Sequence, residues 1–123
     1  MVVGDNWVFI ENPKTASSTI RSHLLANGGE VIKTKHMTLM DSQTAPEKPI
    51  RFVVVRNPWD RMVSAWSYNT QMKTPFEEWL TGDKWEAGVG LDLKRCPQTC
   101  WTVRASKILF YENKVREHSF CLT

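Results

Sequence analysis

Four consecutive apolar residues, Phe52-Val53-Val54-Val55, run directly into Arg56-Asn57-Pro58. Aromatic and β-branched residues without polar alternation predict a strand covered on both faces, the habit of a parallel α/β sheet. The next residues predict a helix. Asn57 can accept from the first free N–H groups, Pro58 suits the first helical position, and Asp60 complements the positive end of the dipole. Trp59, Met62, Val63 and Trp66 recur at i, i+3, i+4, i+7 and are expected to face inward, with Arg61, Ser64 and Tyr68 off that stripe.

A second strand-to-helix unit precedes this one. Trp7-Val8-Phe9-Ile10 reads as a buried strand and Asn12-Pro13 breaks it. Ile20, Leu24 and Leu25 then recur at helical spacing until Asn27-Gly28-Gly29, residue types that end helices. Val31-Ile32-Lys33 is expected to form a further short strand, residues 41–49 a surface connection, Phe76 to Leu80 a short helix after Pro75, and Ile108-Leu109-Phe110-Tyr111 a last strand. The stretch 81–93, with three glycines, shows little periodicity and reads as loop. Strand-loop-helix units repeated in this way predict an α/β fold, a three-layer domain with a short parallel sheet flanked by helices, over residues 1–123 as one domain. Ligands then belong at the carboxyl ends of the strands.

Bulk properties narrow the function less than the motifs do. A net charge of +3 suits an anionic ligand, but the basic residues are scattered, not gathered into a stripe that would follow nucleic acid. No run of about 18 apolar residues and no leader pattern stands out, so a cytoplasmic location without a membrane partner is expected. Cys96, Cys100 and Cys121 make an odd number, which favours reduced thiols, with a Cys96–Cys100 disulfide as the other reading. Their spacing is a poor zinc pattern, and no metal is expected.

Two loops carry the chemistry. Pro13-Lys14-Thr15-Ala16-Ser17-Ser18-Thr19 leaves a strand and enters a helix, so unpaired N–H groups and the dipole converge there, with hydroxyls and a mobile cation alongside. By itself the segment is equally a Ser/Thr cap beside an exposed lysine. It differs from G-x-x-x-x-G-K-[ST], because no glycines frame it and the lysine precedes the hydroxyls. Arg56 follows the other strand, and Ser64 lies about two turns into the next helix. A guanidinium can grip a phosphate through two parallel hydrogen bonds while a serine hydroxyl reaches a third oxygen.

Together these segments resemble the sulfotransferases, in particular the branch with carbohydrate sulfotransferases and small bacterial and viral relatives. The stretch from Ile10 through Pro13-Lys14-Thr15 to Ile20 is similar to that family's 5'-phosphosulfate loop. Phe52 to Trp66, with Arg56-Asn57-Pro58 and Ser64, is similar to its 3'-phosphate motif, and Ile108 to Asn113 resembles a later segment ending in an E-N pair. The resemblance implies a P-loop-like fold and 3'-phosphoadenosine 5'-phosphosulfate as sulfuryl donor, with 3',5'-diphosphoadenosine as product. Lys14, Thr15, Ala16, Ser17, Ser18 and Thr19 would hold the 5' end, and Arg56 and Ser64 the 3'-phosphate. Lys14 would also be catalytic, with His36 as base toward a hydroxyl or amine of a small-molecule or carbohydrate acceptor. The other reading of His36 is a surface or hydrogen-bonding histidine in a basic loop. Trp79, Trp85 and Trp101 are better explained by core packing than by substrate contact. The chain is shorter than typical members, so completion by a second copy in a homo-oligomer stays open. So do two other functions: a catalytically silent nucleotide-binding module, and a small-molecule kinase.

Overall fold

A computed structural model of the chain describes residues 1–32, 38, 47–82 and 97–114. Among the described residues five strands make one sheet: β1 (Val2–Val3), β2 (Trp7–Ile10), β3 (Glu30–Val31), β4 (Ile50–Val55) and β5 (Lys107–Phe110), in the order β3-β1-β2-β4-β5. The helices described are α1 (Ser17–Ala26), α2 (Pro58–Thr70), α3 (Phe76–Thr81) and two single turns, α4 (Thr99–Thr102) and α5 (Tyr111–Lys114). β2, β4 and β5 are parallel as expected, with Phe9 opposite Phe52 and Val53 opposite Ile108. The sheet is nevertheless mixed. β1, too short to show a pattern in sequence, pairs antiparallel with both β2 and β3.

The uninterrupted apolar runs have the predicted cause, since alternate residues enter separate cores. Val2, Phe9, Phe52 and Val54 meet Ile20 and Leu24 of α1 on one face. Val8, Ile10 and Val53 meet Trp101 of α4 on the other. A third cluster joins Ala65 of α2 to Trp79 of α3, with Met62, Trp66, Phe76 and Leu80 around them. Trp79 and Trp101 are thus core residues, whereas Trp85 lies outside the described residues. Gly28, at φ 92°, follows α1 as a left-handed residue, and the N–H of Gly29 returns to the carbonyl of Leu24 to close the helix.

Two expectations change. The inward face of α2 is centred on Arg61 and Ala65, while Trp59 is 75% exposed and Val63 44%. Apolar periodicity misjudged the rotation because this face meets the loop after β2, whose free carbonyl and amide oxygens select a guanidinium. Cys100 is disulfide-bonded, contrary to the expectation of reduced thiols, and its partner lies outside the described residues. An odd count leaves room for one pair, so the counting argument could not exclude it.

Candidate functional site

The loop after β2 is held in an unusual backbone form. Lys14 and Ala16 both have φ 62°, a left-handed conformation that non-glycine residues adopt when their surroundings dictate it. Such residues recur where backbone N–H groups form anion-binding concavities. Ala16 is also the cap position of α1; no side chain caps this helix and no acid sits in its first turn. The positive end of α1 is therefore available to an anion. α2 differs, because the side chain of Asn57 accepts from the N–H groups of Trp59 and Asp60. At that second junction an anion would meet side chains instead of an open helix end.

Asn12 is the hub beneath the loop. Fully buried, it donates from Nδ2 to Val54 O at 2.8 Å and to Gln98 Oε1 at 3.1 Å, and its Oδ1 accepts from Arg61 Nη2 at 2.8 Å. Its carbonyl accepts from the hydroxyl of Thr15 at 2.8 Å. Arg61 adds a bond from Nε to Pro13 O at 2.9 Å and lies over the Trp101 ring, 5.3 Å from its centroid. Neighbouring Glu11, also buried, accepts from Arg21 of α1 at 2.7 and 2.8 Å and from the Met1 ammonium at 2.8 Å. These contacts fix the loop's root to strand, helix and opposite junction at once.

Burial pushes the Arg61 guanidinium down to about 10, well below its ordinary value, and it stays charged at neutral pH. Among the described residues it has no carboxylate partner. A buried cation without a carboxylate is costly, and the bonds to Pro13 O and Asn12 Oδ1 together with the Trp101 ring offset part of that cost.

Arg56 stands at the end of β4. Its Nη1 donates to Lys14 O at 3.2 Å, and the Tyr111 ring lies 4.3 Å from its guanidinium carbon. Its Nε is buried with no hydrogen-bond partner among the described residues. Such a donor is costly unless a ligand fills it. Glu112, from the late E-N pair, accepts from the N–H of Asn57 at 2.6 Å and so ties the start of α2 to the end of β5.

Lys14, Arg56 and Ser64 open onto one cavity of about 470 Å³, lined also by Asp60, Val63, Ser67, Tyr68 and Met72. Lys14 Nζ rests 4.4 Å from the centre of the Tyr68 ring. Thr15 in the loop and Ser17 at the first position of α1 are buried, and Ser18 and Thr19 after it are exposed. His36 lies outside the described residues, as does His118, and His23 is exposed on α1.

A family model described as sulfotransferase family matches residues 4–104, which takes in both junctions and Gln98. The chain belongs to the sulfotransferase family. No curated protein and no solved structure matches it. In this sulfotransferase-family chain, the residues named from the sequence, Lys14, Arg56 and Ser64, line one cavity, whereas Asn12, Arg61, Gln98 and Tyr111, which the sequence did not single out, hold the loops around it. By its sequence Asn12 is only a breaker beside Pro13. An amide just past the end of an apolar run was the available signal there, and Gln98 offered none.

Proposed function

We propose that this sulfotransferase transfers a sulfuryl group from 3'-phosphoadenosine 5'-phosphosulfate to a hydroxyl or amine of a small-molecule or carbohydrate acceptor, on a P-loop-like arrangement of its sheet. The observation that carries the reading is the shared cavity of Lys14, Arg56 and Ser64, with the Arg56 guanidinium 3.2 Å from the backbone of the Lys14 loop. A ligand with an anion at each end can then reach both junctions. The unfilled Nε of Arg56 and the uncapped α1 terminus supply donors of the kind such a ligand needs.

When bound, the donor supplies an activated sulfur–oxygen bond whose leaving group is its own 5'-phosphate. The chain's part is alignment and charge stabilisation. The N–H groups of Ser17, Ser18 and Thr19 and the Thr15 to Ala16 backbone hold the 5' end. Lys14 leaves the Tyr68 ring to neutralise charge on the bridging oxygen, and Arg56 with Ser64 binds the 3'-phosphate. His36 is proposed as the base that takes the acceptor's proton.

The test is transfer of labelled sulfate from the donor to an acceptor panel, with calorimetric titration of 3',5'-diphosphoadenosine. Lys14→Ala is expected to lower turnover about 100-fold or more while keeping most of the nucleotide affinity. Arg56→Ala is expected to weaken binding about 10-fold to 100-fold, the worth of a charged bidentate contact. Equal affinity of wild type and Arg56→Ala would sink the assigned phosphate site. Tight binding without transfer to any acceptor would favour the silent module, and preference for ATP would favour the kinase.

A further inference from the structure

Between the two junctions sits a side chain that no motif assigns. Gln98 immediately precedes α4 and is half-buried, and both ends of its amide are engaged just beyond the two central strands. Oε1 accepts from the N–H of Arg56 at 3.0 Å and from Asn12 Nδ2 at 3.1 Å, while Nε2 donates to Arg56 O at 3.0 Å. The position of these contacts matters. Paired residues of β2 and β4 end at Ile10 opposite Val53, so the backbone ladder does not extend to Asn12 and Arg56. Beyond that point Asn12 reaches Val54 O, and Gln98 closes a ring between the root of the Lys14 loop and both backbone polar groups of Arg56.

We infer that Gln98 is a positioning residue that sets the separation and aim of the two anion-binding junctions, and that it controls how much a ligand gains from engaging both. Gln98 does not touch the ligand in this scheme. An amide is required, because one end must accept two hydrogen bonds while the other donates to a carbonyl. A carboxylate would set an oxygen against Arg56 O, and an apolar side chain would leave three polar groups to find other partners. Trp101, one turn away on α4, is 2% exposed and packs under Val8, Ile10 and Val53, so the clip is carried on a core-anchored turn.

This inference rests on the proposed two-ended nucleotide site, and the experiment separates the two. Affinities of wild type, Gln98→Met and Gln98→Asn for 3',5'-diphosphoadenosine and for adenosine 5'-monophosphate are measured by calorimetry, with circular dichroism and thermal melting reporting the fold. Their ratio gives the advantage conferred by the 3'-phosphate. In Gln98→Met that advantage is expected to shrink by about tenfold, equivalent to roughly 1.4 kcal/mol of coupling. A merely structural role would weaken both ligands alike and leave the ratio unchanged. Gln98→Asn, shorter by one methylene, keeps the amide but cannot span the junctions, so the same shrinkage is expected; it serves if the Met variant does not fold. Wild type without a preference for the 3'-phosphate would overturn the two-ended site itself. A wild-type preference retained in full by the folded variants would overturn the role of Gln98 alone.

Discussion

At the scale of single residues, the left-handed pair Lys14 and Ala16 marks how closely the loop is specified. An alanine at φ 62°, ψ 23° is disfavoured by its Cβ, and glycine is not. Ala16→Gly is therefore expected to raise unfolding free energy by about 0.5–1 kcal/mol in urea titration, since relief of strain outweighs the added freedom of the unfolded chain. The placement of Lys14 and Arg56 at one cavity was legible because it is set locally: each stands where a strand gives way to a helix. Arg61 was not legible. Its charge argued for the outside, yet it bonds Pro13 O and Asn12 Oδ1 in the interior. A binary reading of polar and apolar cannot foresee a carbonyl cluster assembled from residues 48 and 49 positions away.

At the scale of elements, α2 does two jobs through two faces. Ser64, Ser67 and Tyr68 line the cavity, while Arg61 holds the loop before α1 and Ala65 packs on α3. Arg61→Met is expected to lower stability near neutral pH by about 1–2 kcal/mol, because two buried acceptors lose their donor and relief of the buried charge offsets only part of that. The pH dependence has a definite sign. The folded pKa is depressed, so the folded chain releases this proton before the unfolded one does, and wild-type stability gains as pH rises above about 10. Urea unfolding of both proteins should show the wild-type advantage widening over that window. A narrowing would mean that the cation is compensated in the fold. The start of α2 was legible from Asn57-Pro58, but its rotation was not, since rotation depends on what the neighbouring loop offers.

At the scale of the whole molecule, the parallel core of β2, β4 and β5 is what brings the two junctions together. Parallel neighbours put their carboxyl ends at one edge, and each is followed by a helix that starts there. That much was legible in two apolar runs, each leading into a turn and a helix. The antiparallel β1 pairs locally with β2 but is too short to show a pattern, and the returning segment with Gln98 and Trp101 depends on contacts between distant residues that nothing local in the sequence announces. The central claim is that one nucleotide spans both junctions, its 5' end on the Lys14 loop and its 3'-phosphate on Arg56. Phosphorus NMR of 3',5'-diphosphoadenosine resolves its two phosphates and tests this directly. On titration with wild type both resonances should move, and with Arg56→Ala at saturating protein the 3'-phosphate should return towards its free position while the 5'-phosphate stays displaced. A 3'-phosphate resonance that stays at its free position with wild type, or stays fully displaced with Arg56→Ala, would contradict the account.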